Sequence, residues 1–352
     1  MKKESEKQEP ISQTQEKKRF SIWIGEIFLV LALAVGACFF VSCNQGELPK
    51  NREKVKVGIS KSFLSIPVYI AKTEGYFAKE GLDVTVKEYS SGKKATQDLF
   101  AGEVDISTIA DMPVVFNSFK KKDFCIFATF TSSYPFVKII ARKDKGIKTG
   151  IDLRGKRVGA NKGTSSHYFL AVFLIHNSLS ISEVKMIDIK TVNLPDALKN
   201  NEVDAISVWQ PFSQKAEKLL KNNAIELPSS EICRTTFNFA VMKSFAKEHP
   251  EILKRFLRAI DNAATFTKKN RKRSQDIITE SFKLDKNLVS AAWDDFVFEI
   301  SLDQALLVSW DEIARWVIEN NFVEKQKLPN YLNFIYMDAL EAVKPESITI
   351  IR

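Results

Sequence analysis

The passage from residue 156 to residue 176 carries the densest set of side chains able to hold a ligand. Lys156–Ala160 reads as a strand, Gly159-Ala160-Asn161-Lys162-Gly163 as a glycine turn, and Thr164–His176 as a helix. Thr164, Ser165 and Ser166 then set three hydroxyls beside the unbonded N–H groups of a helix start. Together with the positive end of the helix dipole they suit a sulfonate, a carboxylate or a phosphate-sized group. Simple N-capping by Thr164 or Ser165 would need only one of these hydroxyls. His167, beside Tyr168 on the first turn, has no evident partner for proton shuttling. Hydrogen bonding behind the site, or a contact in a cleft, is its expected role.

Two further strand ends point the same way. Trp209-Gln210-Pro211 closes a strand at Val203–Trp209, and ligands of open α/β sheets sit beyond such carboxyl edges. Gln210 and Pro211 take the chain off the sheet, which makes Trp209 and Gln210 candidates for a cleft wall. Asp111-Met112-Pro113 ends another strand equivalently; Asp111 is most simply an N-cap, and alternatively an acceptor for a ligand amine or hydroxyl. No G-x-S-x-G, H-E-x-x-H, Walker A or C-x-x-C signature is present. Three histidines leave little room for a histidine-rich metal site. No catalytic residue, metal or cofactor is expected.

The elements that must position these residues alternate. Val55–Ile59, Leu82–Val86, Val104–Ile106 and Phe124–Phe130 read as strands, interleaved with helices entered at Ser65-Ile66-Pro67, at Lys94 and at Met112. The rhythm restarts with strand-like Phe136–Ala141, then the 156–176 passage, Val184–Ile189, a helix at Pro195–Asn200, Val203–Trp209 and a helix at Ser213–Leu220. Asn201-Glu202-Val203-Asp204-Ala205 repeats the form of Gly102-Glu103-Val104-Asp105-Ile106. Two α/β lobes of one plan, each with a mainly parallel sheet, follow. After strand-like Phe237–Met242 the rest reads as helices, with Trp293, Phe296, Trp310, Ile313 and Trp316 as core. The run 268–273 is expected to be a solvated helix end, with anionic lipid headgroups as the alternative contact.

The first 43 residues choose a compartment. A basic segment ending at Lys17-Lys18-Arg19 precedes an uncharged stretch, Ile27–Val41, the length of a secretory core and short for a spanning helix. Cys43 (or Cys38) follows small residues as a lipidation site requires, and an uncleaved anchor is the alternative. Both readings put the folded part outside the cytoplasmic membrane and tether it there. The net charge of +9 becomes +8 once residues 1–43 are removed, so the surplus belongs to the folded part. Export argues against nucleic acid as its partner. Cys125 and Cys233 remain, with Cys125 read as a small buried thiol.

The ordered motifs resemble the substrate-binding proteins of ABC importers for aliphatic sulfonates, nitrate, taurine and thiamine-pyrimidine precursors. The resemblance rests on Ala71-Lys72-Thr73-Glu74-Gly75-Tyr76-Phe77 with Glu80–Val84, Ala101–Ile106, Asp152–Gly159 and Gly163–Leu170. Asn193–Ala197, Val203–Ala205 with Trp209–Pro211, and His249-Pro250-Glu251 complete it. It implies the bilobal periplasmic-binding-protein fold (type II) with two crossover strands, Phe136–Ala141 and Phe237–Met242. Residues 1–43 would be the signal or lipoprotein segment and 44–54 a tether. Lobe one would comprise 55–142 and 238–352, and lobe two 143–237.

The same resemblance implies a ligand held between the lobes by Thr164, Ser165, Ser166, His167, Trp209 and Gln210. First-lobe loops around Ser62–Ile66 (Ser62 and Ser65), Ser90–Gly92 (Ser91) and Asp111 would complete the grip. The implied partners are a small organic anion, permease subunits with their ATPase, and the membrane through the N-terminus, the chain itself being a monomer. Many relatives carry an acidic residue where Gln210 stands, so its amide puts a cationic ligand end in doubt. The expected ligand is an alkane- or arylsulfonate or a taurine-like compound: with an amine bound, Asp111 is its partner, and without one a plain sulfonate or a carboxylate fits better. A pyrimidine precursor, nitrate, or a tethered enzyme of pyrimidine metabolism are the alternatives.

Overall fold

The computed structural model describes residues 51–89, 91–134, 136–229 and 232–351. Eleven strands among them form two sheets. The first has the order β2-β1-β3-β10-β4-β11, from β1 (Glu53–Ser60), β2 (Leu82–Tyr89), β3 (Ile106–Ala110), β4 (Phe124–Ser133), β10 (Thr235–Met242) and β11 (Val297–Ser301). The second has the order β7-β6-β8-β5-β9, from β5 (Val137–Arg142), β6 (Arg157–Ala160), β7 (Lys185–Asp188), β8 (Ala205–Trp209) and β9 (Ala224–Leu227). β1 runs parallel to β2 and β3, and β6 parallel to β7 and β8. In each sheet the next strand, β10 or β5, joins antiparallel.

The sheets are therefore mixed, where the alternation of elements suggested mainly parallel ones. Parallel pairing needs a crossover connection, and only β1, β2 and β3 in the first sheet and β6, β7 and β8 in the second pair that way. The two expected crossover strands, Phe136–Ala141 and Phe237–Met242, correspond to β5 and β10; β5 pairs within the second sheet and β10 within the first. Among the described residues, β4 ends the first-sheet run at Ser133 before β5 opens at Val137, and β9 ends at Leu227 before β10 opens at Thr235. Two strands escape the sequence pattern. β9 is short and follows the polar Lys221–Asn223 turn, and β11 falls where Trp293 and Phe296 had suggested helical spacing.

The repeated Val-Asp motif has one structural job in both lobes. Gly102 (φ 75°) and Asn201 (φ 61°) adopt the left-handed conformation that ends the preceding helix. Three residues on, Asp105 Oδ2 accepts the N–H of Lys56 within β1, 2.7 Å away. Asp204 Oδ2 likewise accepts the N–H of Arg157 at the start of β6, at 2.9 Å. Each carboxylate, just before its own strand, thus bonds a backbone donor of the neighbouring strand.

The helix Pro250–Lys269 buries Ile252, Leu253, Phe256, Leu257 and Ile260, the face its spacing foretold. Trp293, Phe296, Trp310 and Ile313 are buried as expected; Trp316 is half-buried. In the basic run, Lys268 pairs with Glu299, Arg271 with Asp294 and Arg273 with Glu74, all at exposed positions where such pairs add little. Cys125 and Cys233 are free thiols, both raised to about 12 by burial. The segment 1–43, with Cys38 and Cys43, most of the tether, and Ser90 lie outside the described residues. Among the described residues no helix is long and apolar enough to cross a membrane.

Candidate functional site

A cavity opens at the carboxyl edges of β1, β3 and β8 and at the loops after β2 and β6, bringing both sheets' strand ends to one place. Its volume is about 40 Å³. From the first sheet come Ser60, Ser62 and Leu64, then Ser91, Gly92 and Lys93, then Ala110 and Pro113. From the second come Thr164, Ser165 and Trp209, while Phe136 and Phe237 stand close to the two crossings. Hydroxyls, aromatic faces and one cation make up the lining; no carboxylate, histidine or thiol is among its described residues.

On the first-sheet side, Ser91 Oγ caps the helix Gly92–Phe100 by accepting the Lys94 N–H at 3.4 Å. The N–H groups of Gly92 and Lys93 belong to the first turn, whose donors a helix leaves unbonded. A Cβ on Gly92 would stand 3.2 Å from the carbonyl oxygen of Thr108, so glycine lets this helix start lie against β3. Ser62 is 1% exposed and its hydroxyl has no hydrogen-bond partner among the described residues. Ser65 is different: its Oγ donates to the Ser60 carbonyl at 2.7 Å and it does not line the cavity.

The three hydroxyls at 164–166 do not act together as their adjacency suggested. Thr164 Oγ1 donates to the Asn161 carbonyl at 2.7 Å, closing the glycine turn. Ser166 faces the sheet, donating to the Ser207 carbonyl of β8 at 2.6 Å while Ser207 Oγ returns a bond to the Ser166 carbonyl at 2.8 Å. Successive helical residues point 100° apart, so three in a row cannot share one face. Ser165 alone is half-buried on the cavity with no protein partner among the described residues.

His167 is buried behind this wall, where Nδ1 accepts the Gly163 N–H at 3.4 Å. Burial, assisted by Lys162, lowers its pKa to about 4, so the ring is neutral and fixes the loop. Trp209 lines the cavity and stacks on Phe136, centroids 5.9 Å apart and planes 13° apart. Gln210 does not line it. Its amide accepts from Gln214 Nε2 at 3.2 Å and donates to Asp295 Oδ2 at 3.4 Å.

Asp111 is neither an N-cap nor open to a ligand. Ala110 is the N-cap, and Asp111 begins the helix Asp111–Ser118 with its carboxylate turned inward. There it accepts the Thr236 N–H at 2.6 Å, the Thr236 hydroxyl, and Trp310 Nε1 at 2.8 Å. Burial raises its pKa against the pull of those donors. Sequence reasoning missed Ser60, Lys93, Ala110, Pro113, Phe136 and Phe237. The Ser91-Gly92 pair, a helix-start signature, could have led to Lys93; the two phenylalanines carry no local signal, since only the crossings bring them to the cavity. Among the described residues, no group of three or more His, Cys, Asp or Glu side chains could hold a metal ion.

Residues 62–274 match the sequence profile described as NMT1/THI5 like. The chain belongs to the NMT1/THI5-like family. The matched stretch begins at Ser62 and spans every cavity residue except Ser60. Within reach of this family member is a Bacillus subtilis (strain 168) protein named for binding aliphatic sulfonates, 28% identical over 249 residues, 68% of this chain and 73% of that one. The taurine-binding periplasmic protein of Escherichia coli (strain K12) is 24% identical over 215 residues, 59% and 66% of the two chains. The crystal structure of the periplasmic aliphatic sulphonate binding protein SsuA from Escherichia coli superposes with a TM-score of 0.70 at 19% identity, covering 83% of this chain and 99% of that one. The fold is the bilobal periplasmic-binding-protein type, as the sequence motifs implied.

Proposed function

We propose that this NMT1/THI5-like protein is the exported, membrane-tethered binding subunit of an ABC importer, capturing a short, plain alkanesulfonate and delivering it to a permease. One observation carries the ligand class. The Ser62 hydroxyl is buried and unpartnered among the described residues, and Ser62 lines a cavity that has no carboxylate among its described lining residues. A buried hydroxyl without an acceptor is costly until something accepts from it, and an anion does. Ser165, the first-turn N–H groups near Gly92 and Ser165, and Lys93 add donors; Leu64, Trp209 and Phe237 receive an alkyl group. The names of the relatives, sulfonate- and taurine-binding, support the same class. Lobe one is taken as 53–134 with 235–351, lobe two as 136–229, and Cys43 (or Cys38) as the lipid-bearing residue.

Taurine is expected to bind less well than its amine-free analogue. Its ammonium would enter a site whose nearest buried carboxylate, Asp111, already accepts from Thr236 and Trp310. Binding over turnover is supported by the lining, which offers Ser62 no base, and by thiols held protonated at Cys125 and Cys233. Calorimetric titration of residues 44–352 with ethanesulfonate, taurine, nitrate and a pyrimidine tests the reading. Ethanesulfonate should bind, taurine about tenfold or more weakly, and Ser62→Ala should cost ethanesulfonate about ten- to a hundredfold. Binding of pyrimidine alone, or full affinity in Ser62→Ala, would overturn it.

A further inference from the structure

The two lobes touch at a second place, outside the cavity. From lobe two, His167 and Tyr168 lie on the first turn of the helix Ser165–His176, directly behind the cavity residues Thr164 and Ser165. From lobe one, Trp316 ends the helix Gln304–Glu319 and Phe322 follows it. The His167 ring meets Trp316 edge-on at 5.2 Å and Phe322 at 4.9 Å, and Tyr168 meets Trp316 at 5.3 Å. Lys162 stands 5.5 Å over the Phe322 ring. Trp316 and Phe322 themselves pack at 5.0 Å.

The local sequence builds this contact. Asn321, in the left-handed conformation (φ 56°), ends the helix, its N–H reaching the Ile318 carbonyl at 3.1 Å while that of Phe322 reaches the Val317 carbonyl at 3.0 Å. This is the paired closure of a Schellman motif, which turns the next side chain back onto the helix. Phe322 is thereby set beside Trp316. The 304–319 helix is held in turn by Trp310 Nε1 on Asp111, beneath the cavity helix Asp111–Ser118.

We infer that Trp316 and Phe322 are positioning residues for ligand retention: an aromatic clasp on His167 and Tyr168 that sets how firmly lobe two stays closed over the cavity. None of the four lines the cavity, so they act through the placement of Thr164 and Ser165. In a hinged protein, contacts made only between closed lobes bias the open–closed equilibrium and slow ligand escape. The inference rests on the proposed capture between lobes, but part of its test needs no ligand.

Small-angle scattering of ligand-free chains, residues 44–352, compares the parent with Phe322→Ala and Phe322→Leu. The alanine variant should show a larger radius of gyration, and leucine, which keeps an apolar contact, should restore most of the parent value. Stopped-flow release of ethanesulfonate should be about tenfold faster in Phe322→Ala, the loss of one or two aromatic contacts, with melting temperature nearly unchanged. Superimposable scattering of parent and Phe322→Ala would overturn the clasp whatever binds. If ethanesulfonate fails to bind the parent, the sulfonate reading falls while the scattering still decides the clasp.

Discussion

His167 shows how burial converts a side chain that suggests chemistry into one that holds a wall. With Nδ1 accepting from Gly163 and aromatic rings on its other side, the neutral form is favoured and the folded pKa sits at about 4. An unfolded histidine titrates near 6.5. Between these values the unfolded chain binds a proton the folded one refuses, so stability falls as pH drops from about 6.5 toward 4. Urea unfolding of the parent and His167→Gln at pH 7 and pH 5 should show the parent losing on the order of 1–2 kcal/mol more than the variant. Equal losses would place the ring in water. The same physics limited what the sequence could reveal at this scale. The Thr164-Ser165-Ser166 run was legible as a helix start, but which hydroxyl faces the cavity depends on the helix's rotation against β8, where the partner is Ser207, 41 residues away. Asp111 was legible as a strand-end acid, yet its donors lie 125 and 199 residues away.

At the scale of elements, the two Val-Asp strand ends make an internal comparison. Asp105 is half-buried and serves one backbone N–H; Asp204 is 7% exposed and also receives Arg157 Nη2 at 2.8 Å. Removing a buried acceptor leaves a backbone donor and a guanidinium short of partners. Asp204→Ala should therefore cost about 2–4 kcal/mol and Asp105→Ala about 1 kcal/mol, measured by urea unfolding. Comparable costs would mean that the Arg157 pair adds nothing. This repeat was readable because it is local: a left-handed residue, a valine and a carboxylate within five positions. β9 and β11 were not, because a four- or five-residue antiparallel edge strand gets its hydrogen bonds from remote partners and needs no pattern of its own. The crossings needed the family resemblance for a related reason, since hydropathy marks a strand but not the sheet that it joins.

At the scale of the whole molecule the positive charge is not evenly spread. Between residues 136 and 229 there are fifteen Lys or Arg against nine Asp or Glu, so lobe two carries most of the folded part's surplus of +8. That lobe supplies Thr164 and Ser165 to the cavity, whereas the lining itself holds only Lys93 among charged described residues. Under the proposed function, capture would divide into two physical parts. A diffuse field from lobe two would draw an anion in, and neutral donors at helix starts would hold it once water is excluded. The first part is screened over about 8 Å at physiological salt, while the second is sheltered from ions. Raising NaCl from 20 to 300 mM should then slow ethanesulfonate association about two- to threefold and leave its release rate within error of the low-salt value. A salt-dependent release rate would instead mean that an exposed cation, Lys93 foremost, contributes directly to the grip. Lys93→Gln would then remove that dependence, and the cavity would have to be read as a charged site in place of a hydroxyl-lined one.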